Sequence, residues 1–201
     1  MLQNDLDKAS YGLGLNIASS LKNEGVDAIN AEAFAEGIRD FLEEKELKLS
    51  VTDASQIVQS FLGAAQQKKY EKNITEAQTF LAENAKREEV IELPSGLQYE
   101  IITEGAGEIP TAESTITAHY HGTLINGDVF DSSIQRNQPA NFPVNGVIKG
   151  WTEALQLMPV GSKWKLYVPS ELAYGANPHP NGPIEPHQAL IFEVELLEIN
   201  K

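Results

Sequence analysis

The chain has 201 residues and 41% hydrophobic content, room for one large domain or two small ones and enough apolar material to argue against general disorder. It contains no cysteine, which excludes disulfides, thiolate metal sites and thiol catalysis. Its net charge of −14 opposes phosphate backbones and anionic membrane surfaces, so no nucleic-acid partner is expected.

The first residues, Met1-Leu2-Gln3-Asn4-Asp5-Leu6-Asp7-Lys8, lack a basic segment followed by an apolar run. A cytoplasmic protein is expected. An exported protein (periplasmic or surface) whose leader has been removed is the alternative. No apolar stretch reaches the length of a membrane span. All ten prolines lie between Pro94 and Pro186, and ten of the fifteen glycines follow Leu93. Proline is poorly tolerated inside helices and common in turns, so the chain divides into a helical first half and a turn-rich second half. Charge does not divide them: residues 1–92 and 93–201 each carry −7.

The first half reads as three helices. The first runs from about Asp7 to Leu21, with Tyr11, Leu15, Ala18 and Leu21 along one side and Gly25 as its stop. The second covers about Ala31 to Glu44, with Phe34, Ile38, Phe41 and Leu42 at helical spacing. The third starts at Ser50-Val51-Thr52-Asp53, a capping-box-like string with Asp in place of Glu, and continues to about Arg87. At 1.5 Å per residue it is roughly 50 Å long. Ile57, Val58, Phe61, Leu62 and Ala65 form an apolar face near its start, and Tyr70, Ile74, Ala77 and Leu81 form another further on. Gln66-Gln67-Lys68-Lys69 between them reads as a solvated spacer. So small a helical cluster buries little area alone. A homodimer through residues 1 to about 65 is expected, with Gly12 and Gly14 allowing close backbone approach. A monomer whose first two helices fold back on the second half is the alternative.

The second half reads as antiparallel β-structure. Thr115 to Leu124 alternates, placing Ile116, Ala118 and Tyr120 on one face and Thr117, His119 and His121 on the other. Lys163 to Val168 puts Trp164, Leu166 and Val168 inside, and Leu190 to Leu196 does the same with Leu190, Phe192, Val194 and Leu196. Asn126-Gly127 is a hairpin signal. One short helix is expected from Trp151 to Met158, ended by Pro159, with Trp151, Ala154, Leu155 and Met158 on one face. A curved sheet over that helix buries all of these together.

No phosphate-binding glycine loop, Walker motif or nucleophile elbow is present. His119 and His121 share a strand face, but no third ligand has matching spacing, so a structural role is expected and no metal. His179 sits in the loop Asn177-Pro178-His179-Pro180-Asn181-Gly182-Pro183, where contact with a ligand and loop shaping are both open. The aromatics near turns are Tyr120, Phe130, Phe142, Trp151, Tyr174 and Phe192. Aromatics in strands are core residues more often than ligand contacts, which leaves function open at this point.

Five strings occur in a specific order: His119-Tyr120-His121-Gly122; Gly127-Asp128-Val129-Phe130-Asp131-Ser132-Ser133; Val147-Ile148-Lys149-Gly150-Trp151; Ala173-Tyr174-Gly175; and Leu190-Ile191-Phe192-Glu193-Val194. In order and spacing, residues 93–201 resemble the FKBP family of peptidyl-prolyl cis/trans isomerases, the immunophilins that bind tacrolimus and rapamycin. The whole chain, with Phe80-Leu81-Ala82-Glu83-Asn84-Ala85-Lys86, resembles the bacterial Mip/FklB-like subgroup, whose members are V-shaped dimers. The implied fold is α+β: an N-terminal helical dimerisation region (1–65), the end of a long stalk helix with its linker (66–92), and an isomerase domain (93–201). In that domain a curved antiparallel sheet wraps over one short helix.

The resemblance also implies a site. Trp151 is the floor beneath the proline ring; Tyr120, Phe130, Phe142 and Phe192 are the walls; Val147 and Ile148 form the rim. Tyr174 offers a hydroxyl and Ile148 a backbone N–H to substrate carbonyls, Asp131 lies beside the twisting amide, and Ile184 lies on a flap. Ala140 stands where many members have a pocket-side aromatic, and Glu185 replaces a common proline. No cofactor is implied. The implied partners are unfolded or partly folded proline-containing proteins, with tacrolimus- and rapamycin-type macrolides as inhibitors. A non-catalytic proline-peptide binding or chaperone module is the alternative function.

Overall fold

Three side chains start the three N-terminal helices. Asn4 Oδ1 accepts from the Asp7 N–H at 2.8 Å ahead of α1 (Asp5–Asn23), and Asn30 Oδ1 accepts from the Ala33 N–H at 3.0 Å ahead of α2 (Ala31–Leu42). Ahead of α3 (Val51–Asn84), Ser50 Oγ accepts from the Asp53 N–H at 3.0 Å and donates to Asp53 Oδ2 at 2.7 Å. Each cap satisfies an N–H that has no intrahelical acceptor. The structure is a computed structural model that describes residues 2–180 and 182–200; Asn181, within the loop singled out in the sequence, lies outside the described residues.

α1 closes with Gly25 at φ +84°, where the Val26 N–H reaches Leu21 O at 2.9 Å. α2 closes the same way with Glu44 at φ +52° and the Lys45 N–H on Asp40 O at 2.9 Å. That left-handed residue ends α2 at Leu42, two residues before the expected Glu44. After α3 the Lys86 and Arg87 N–H groups turn onto Glu83 and Asn84 carbonyls, so the helix stops at Asn84 rather than Arg87.

Two compact units are present, Met1–Glu71 and Lys72–Lys201. In the first, α1 and α2 bury no residue, and Val26 in the loop between them is buried. Tyr11, Leu15, Phe34, Ile38, Phe41, Ile57, Val58 and Phe61 are all exposed. The polar run Gln66–Lys69 is engaged rather than bare: Gln66 donates to Glu24, and Lys69 Nζ donates to Asn23 O at 2.9 Å.

The second unit holds one antiparallel sheet of seven strands: β1 (Ile91–Glu92), β2 (Gln98–Thr103), β3 (Thr115–Leu124), β4 (Val129–Ser132), β5 (Ala140–Pro143), β6 (Lys163–Val168) and β7 (Leu190–Asn200). The order is β1-β2-β6-β7-β3-β4, with β5 also paired to β3. β3 and β6 have the expected bounds, and β7 runs four residues past Leu196. Asn126-Gly127 turns between β3 and β4, with Gly127 at φ +89° and the Asp128 N–H on Asn126 Oδ1.

The inner face follows the alternation: Ile116, Ala118, Tyr120, Trp164, Leu166, Val168, Leu190, Phe192, Val194 and Leu196 are buried. Against them packs α4 (Lys149–Leu155), which starts two residues before the expected Trp151 and ends three before the expected Met158. Trp151, Ala154, Leu155 and Met158 are nevertheless all buried, Met158 from the turn after the helix. A Cβ on Gly150 would meet Val168 Cγ1 at 2.6 Å, so only glycine lets α4 sit this close to β6.

The last turns of α3 belong to the second unit. Of the expected apolar stripe there, Ala77 is buried, as are the polar Asn73 and Asn84. Asn84 Nδ2 donates to Gln98 Oε1 at 2.9 Å, and Gln98 Nε2 donates to Leu81 O at 3.0 Å. The Tyr167 hydroxyl donates to Glu100 Oε1 at 2.6 Å and accepts from Arg87 Nη1 at 3.0 Å. Burial, then the Glu100 carboxylate, pushes the Tyr167 hydroxyl up to about 12.

Candidate active site

β3, β4, β5, β7 and α4 converge on one cleft of about 640 Å³. It is lined by all ten residues singled out in the sequence: Tyr120, Phe130, Asp131, Phe142, Val147, Ile148, Trp151, Tyr174, Ile184 and Phe192. Its size and mostly apolar lining are those of a small-molecule or peptide side-chain site. Trp151, presented by the first turns of α4, stands at the centre. Its ring meets Tyr120 at 5.6 Å, Phe142 at 5.5 Å and Phe192 at 5.3 Å, all edge-on with interplanar angles of 77–82°. Phe130 meets Phe192 at 5.3 Å and 85°. Edge-to-face packing is favoured by the aromatic quadrupole and fixes each ring against the next.

This arrangement depends on Gly122. A Cβ there would lie 2.6 Å from Phe130 Cζ and 3.1 Å from Phe192 Cε1. The glycine in His119-Tyr120-His121-Gly122 is therefore the space into which two walls of the cleft pack. The neighbouring histidines face away. His119 Nδ1 lies 3.0 Å from Ser133 Oγ and His121 Nδ1 lies 3.0 Å from Ser132 Oγ. No group of three or more metal-ligating side chains is found among the described residues.

The polar edge is a triad of Tyr120, Asp131 and Arg136. The Tyr120 hydroxyl donates to Asp131 Oδ2 at 2.5 Å and accepts from Arg136 Nη2 at 2.8 Å. Arg136 Nη1 also pairs with Asp131 Oδ1. Burial alone would raise the Asp131 carboxyl, but the Tyr120 hydroxyl, the Arg136 guanidinium and the Ser132 N–H outweigh it and hold it below its ordinary value. Burial first, and the Asp131 carboxylate second, raise the Tyr120 hydroxyl. Tyr174 is also raised, by burial and then by the Asp131 charge.

Arg136 was not singled out in the sequence. It lies five residues after Asp131 in Ser132-Ser133-Ile134-Gln135-Arg136, and a lone cation in a turn carries no periodic signal. Gly146, Pro178, His179, Gly182 and Pro183 also line the cleft. His179 thus faces the cleft as well as belonging to its loop, with its ring 6.2 Å from that of Tyr174. Ala140 packs against the core beside the cleft and is not part of its lining.

At the rim, Ile148 precedes α4 in extended conformation, and its carbonyl accepts from the Trp151 and Thr152 N–H groups. Its own N–H donates to no described residue. An aromatic floor, a backbone donor at Ile148 and a tyrosine hydroxyl at the mouth can take a compact apolar ring flanked by peptide carbonyls. Fold and cleft together therefore define a protein with a compact, mostly apolar binding site.

Comparison with known proteins narrows the class. The model of the "FKBP-type peptidyl-prolyl cis-trans isomerase" matches residues 106–197, and that of the "domain amino terminal to FKBP-type peptidyl-prolyl isomerase" matches residues 6–101. The FKBP-type 22 kDa peptidyl-prolyl cis-trans isomerase of Escherichia coli K12 is 45% identical, over 96% of this chain and 94% of that protein. The outer membrane protein MIP of Legionella longbeachae is 41% identical, over 100% of this chain and 88% of that protein. The crystal structure of FkpA from Escherichia coli superposes with a TM-score of 0.72 at 33% identity, covering 100% of this chain and 99% of that one. The chain belongs to the FKBP family of peptidyl-prolyl cis/trans isomerases, in a bacterial Mip- and FkpA-like subgroup. It is an enzyme that isomerises X–Pro bonds.

Proposed function

We propose that the cleft around Trp151 is where isomerisation occurs, with Trp151 as floor and Tyr120, Phe130, Phe142 and Phe192 as walls. The supporting observation is the interlocked set of rings that leaves an apolar hollow beside free hydrogen-bonding groups. X–Pro bonds interconvert slowly because amide resonance must be broken. Rotation makes and breaks no covalent bond, so the reaction itself calls for no nucleophile. The planar amide is the more polar state and water stabilises it. An apolar hollow removes that solvation, and donors aimed at the twisted carbonyl stabilise the transition state. Val147 and Ile148 form the rim, with the Ile148 N–H and the Tyr174 hydroxyl as donors; Ile184 closes one side. Lowering the barrier by about 4 kcal/mol gives roughly a thousandfold acceleration.

Asp131 has both carboxylate oxygens engaged, by Tyr120 and Arg136, so its first role is to hold the Tyr120 ring upright beside Trp151. Its charge acts on the twisting amide only secondarily. The enzyme acts on unfolded and partly folded proline-containing proteins, is inhibited by tacrolimus- and rapamycin-type macrolides, and works as a homodimer through residues 1–65. Residues 66–92 link that region to the isomerase domain, 93–201. Two linked sites raise the effective concentration of a client chain. The proposed compartment is the cytoplasm. The envelope is the alternative, carried by the name of the Legionella relative; no described helix is long and apolar enough to cross a membrane.

A proline-limited refolding assay with the full-length chain tests this. Acceleration is expected, and it is abolished by equimolar rapamycin. If neither refolding nor a short proline peptide is accelerated, the cleft is a binding site only.

A further inference from the structure

One wall of the cleft, Pro183 and Ile184, belongs to the loop 176–187. The run that follows borders a second cavity. That cavity, of about 490 Å³, is lined by Gln188 and Ala189 on this run and by Phe80 and Leu124. Thus a stretch of six residues contributes Ile184 to one cavity and Gln188 and Ala189 to the other. Its position depends on hydrogen bonds. Some join residues of the loop itself: the Glu185 N–H donates to Gln188 Oε1 at 2.8 Å, the Gln188 N–H to Glu185 O at 3.4 Å, and the His187 N–H to Gly175 O at 2.8 Å.

A further tie comes from a different element. Asn73 on α3 is 7% exposed, and its Nδ2 donates to Pro186 O at 2.9 Å and to Glu185 Oε2 at 3.3 Å. Both acceptors follow Ile184 by one or two residues. Asn73 itself is not part of the cleft lining. A buried amide that holds the two residues after a cleft wall fixes where that wall stands.

We propose that Asn73 is a positioning residue for the isomerase: through Glu185 and Pro186 it holds Ile184 against the bound proline segment. This rests on the cleft being the active site. Ile184 contacts planar and twisted substrate alike, so loosening it removes binding common to both states. The signature is a raised KM with kcat unchanged.

The test uses the full-length chain and a proline tetrapeptide, with kcat, KM and Tm measured on each variant. Asn73→Asp keeps the side-chain shape and removes the donor. It is expected to raise KM about threefold to tenfold through loss of the bonds to Pro186 O and Glu185 Oε2, with kcat within about twofold. Adding Glu185→Gln reverses the amide–carboxylate pair and should recover part of that KM. Should Asn73→Asp fail to fold, Asn73→Ala provides the same readout without a new charge. Ile184→Ala separates the two levels of the claim. If Ile184→Ala raises KM while Asn73→Asp and Asn73→Ala lower only Tm, Asn73 is merely structural and the proposal fails. If Ile184→Ala leaves KM unchanged, the reading of this wall as part of the active site fails, and the proposal with it.

Discussion

Tyr120, Asp131 and Arg136 form a hydrogen-bonded polar edge on a mostly apolar cleft. Asp131 titrates below its ordinary value, so its ionised form contributes stability fully present above that value and lost as pH falls through the lower folded one. Tyr120 titrates above its ordinary value, so its contribution is present below that value and lost as pH rises through the higher one. Neither group changes charge near neutrality. With a blocked proline peptide, kcat/KM is expected to be flat from about pH 5 to about pH 9. A step near neutrality would contradict this. At this scale the sequence was informative wherever a family string ran through the site. It was silent on Arg136, whose meaning comes from a fold that turns it back onto a residue five positions earlier.

The elements differ in how openly they announce themselves. β3 and β6 alternate over ten and six residues, and their bounds could be read directly. β1, β4 and β5 have two to four residues, too few to show a period, and β2 opens on the buried polar Gln98. These four emerge only from pairing. The end of α3 misled in the opposite sense, because Asn73 and Asn84 are buried for hydrogen bonding and not for apolar contact. α2 carries the clearest unmet demand: Phe34, Ile38, Phe41 and Leu42 lie exposed at helical spacing. A surface of this kind is covered by a second copy in the account given above. Ile38→Asp with Phe41→Asp is expected to convert a sedimenting dimer to a monomer. Peptide kcat/KM per subunit should stay within about twofold, since neither residue is among those that line the cleft. A wild-type chain that sediments as a monomer would contradict the dimer.

At the scale of the molecule, the proline boundary near Leu93 marks where turn chemistry begins, and the compact units divide at Glu71 and Lys72. The difference has a physical cause. The last turns of α3 contain no proline and read as helix, yet Asn73, Ala77 and Asn84 are buried within the second unit. Composition reports local conformation; it does not report which core a helix end joins. Much of the cleft was legible because Tyr120, Phe130, Trp151 and Phe192 each lie in a recognisable string, while Phe142 on β5 and the supports behind Ile184 lie in none. In the proposed mechanism, ring packing around Trp151, more than the Asp131 charge, produces catalysis. Peptide isomerisation by Phe130→Ala and Asp131→Ala in the full-length chain tests it most directly, with Tm establishing that both fold. Phe130→Ala is expected to lose more than about tenfold in kcat/KM, about 1.4 kcal/mol of transition-state stabilisation, and Asp131→Ala less. Abolition of activity by Asp131→Ala, with Phe130→Ala spared, would contradict it.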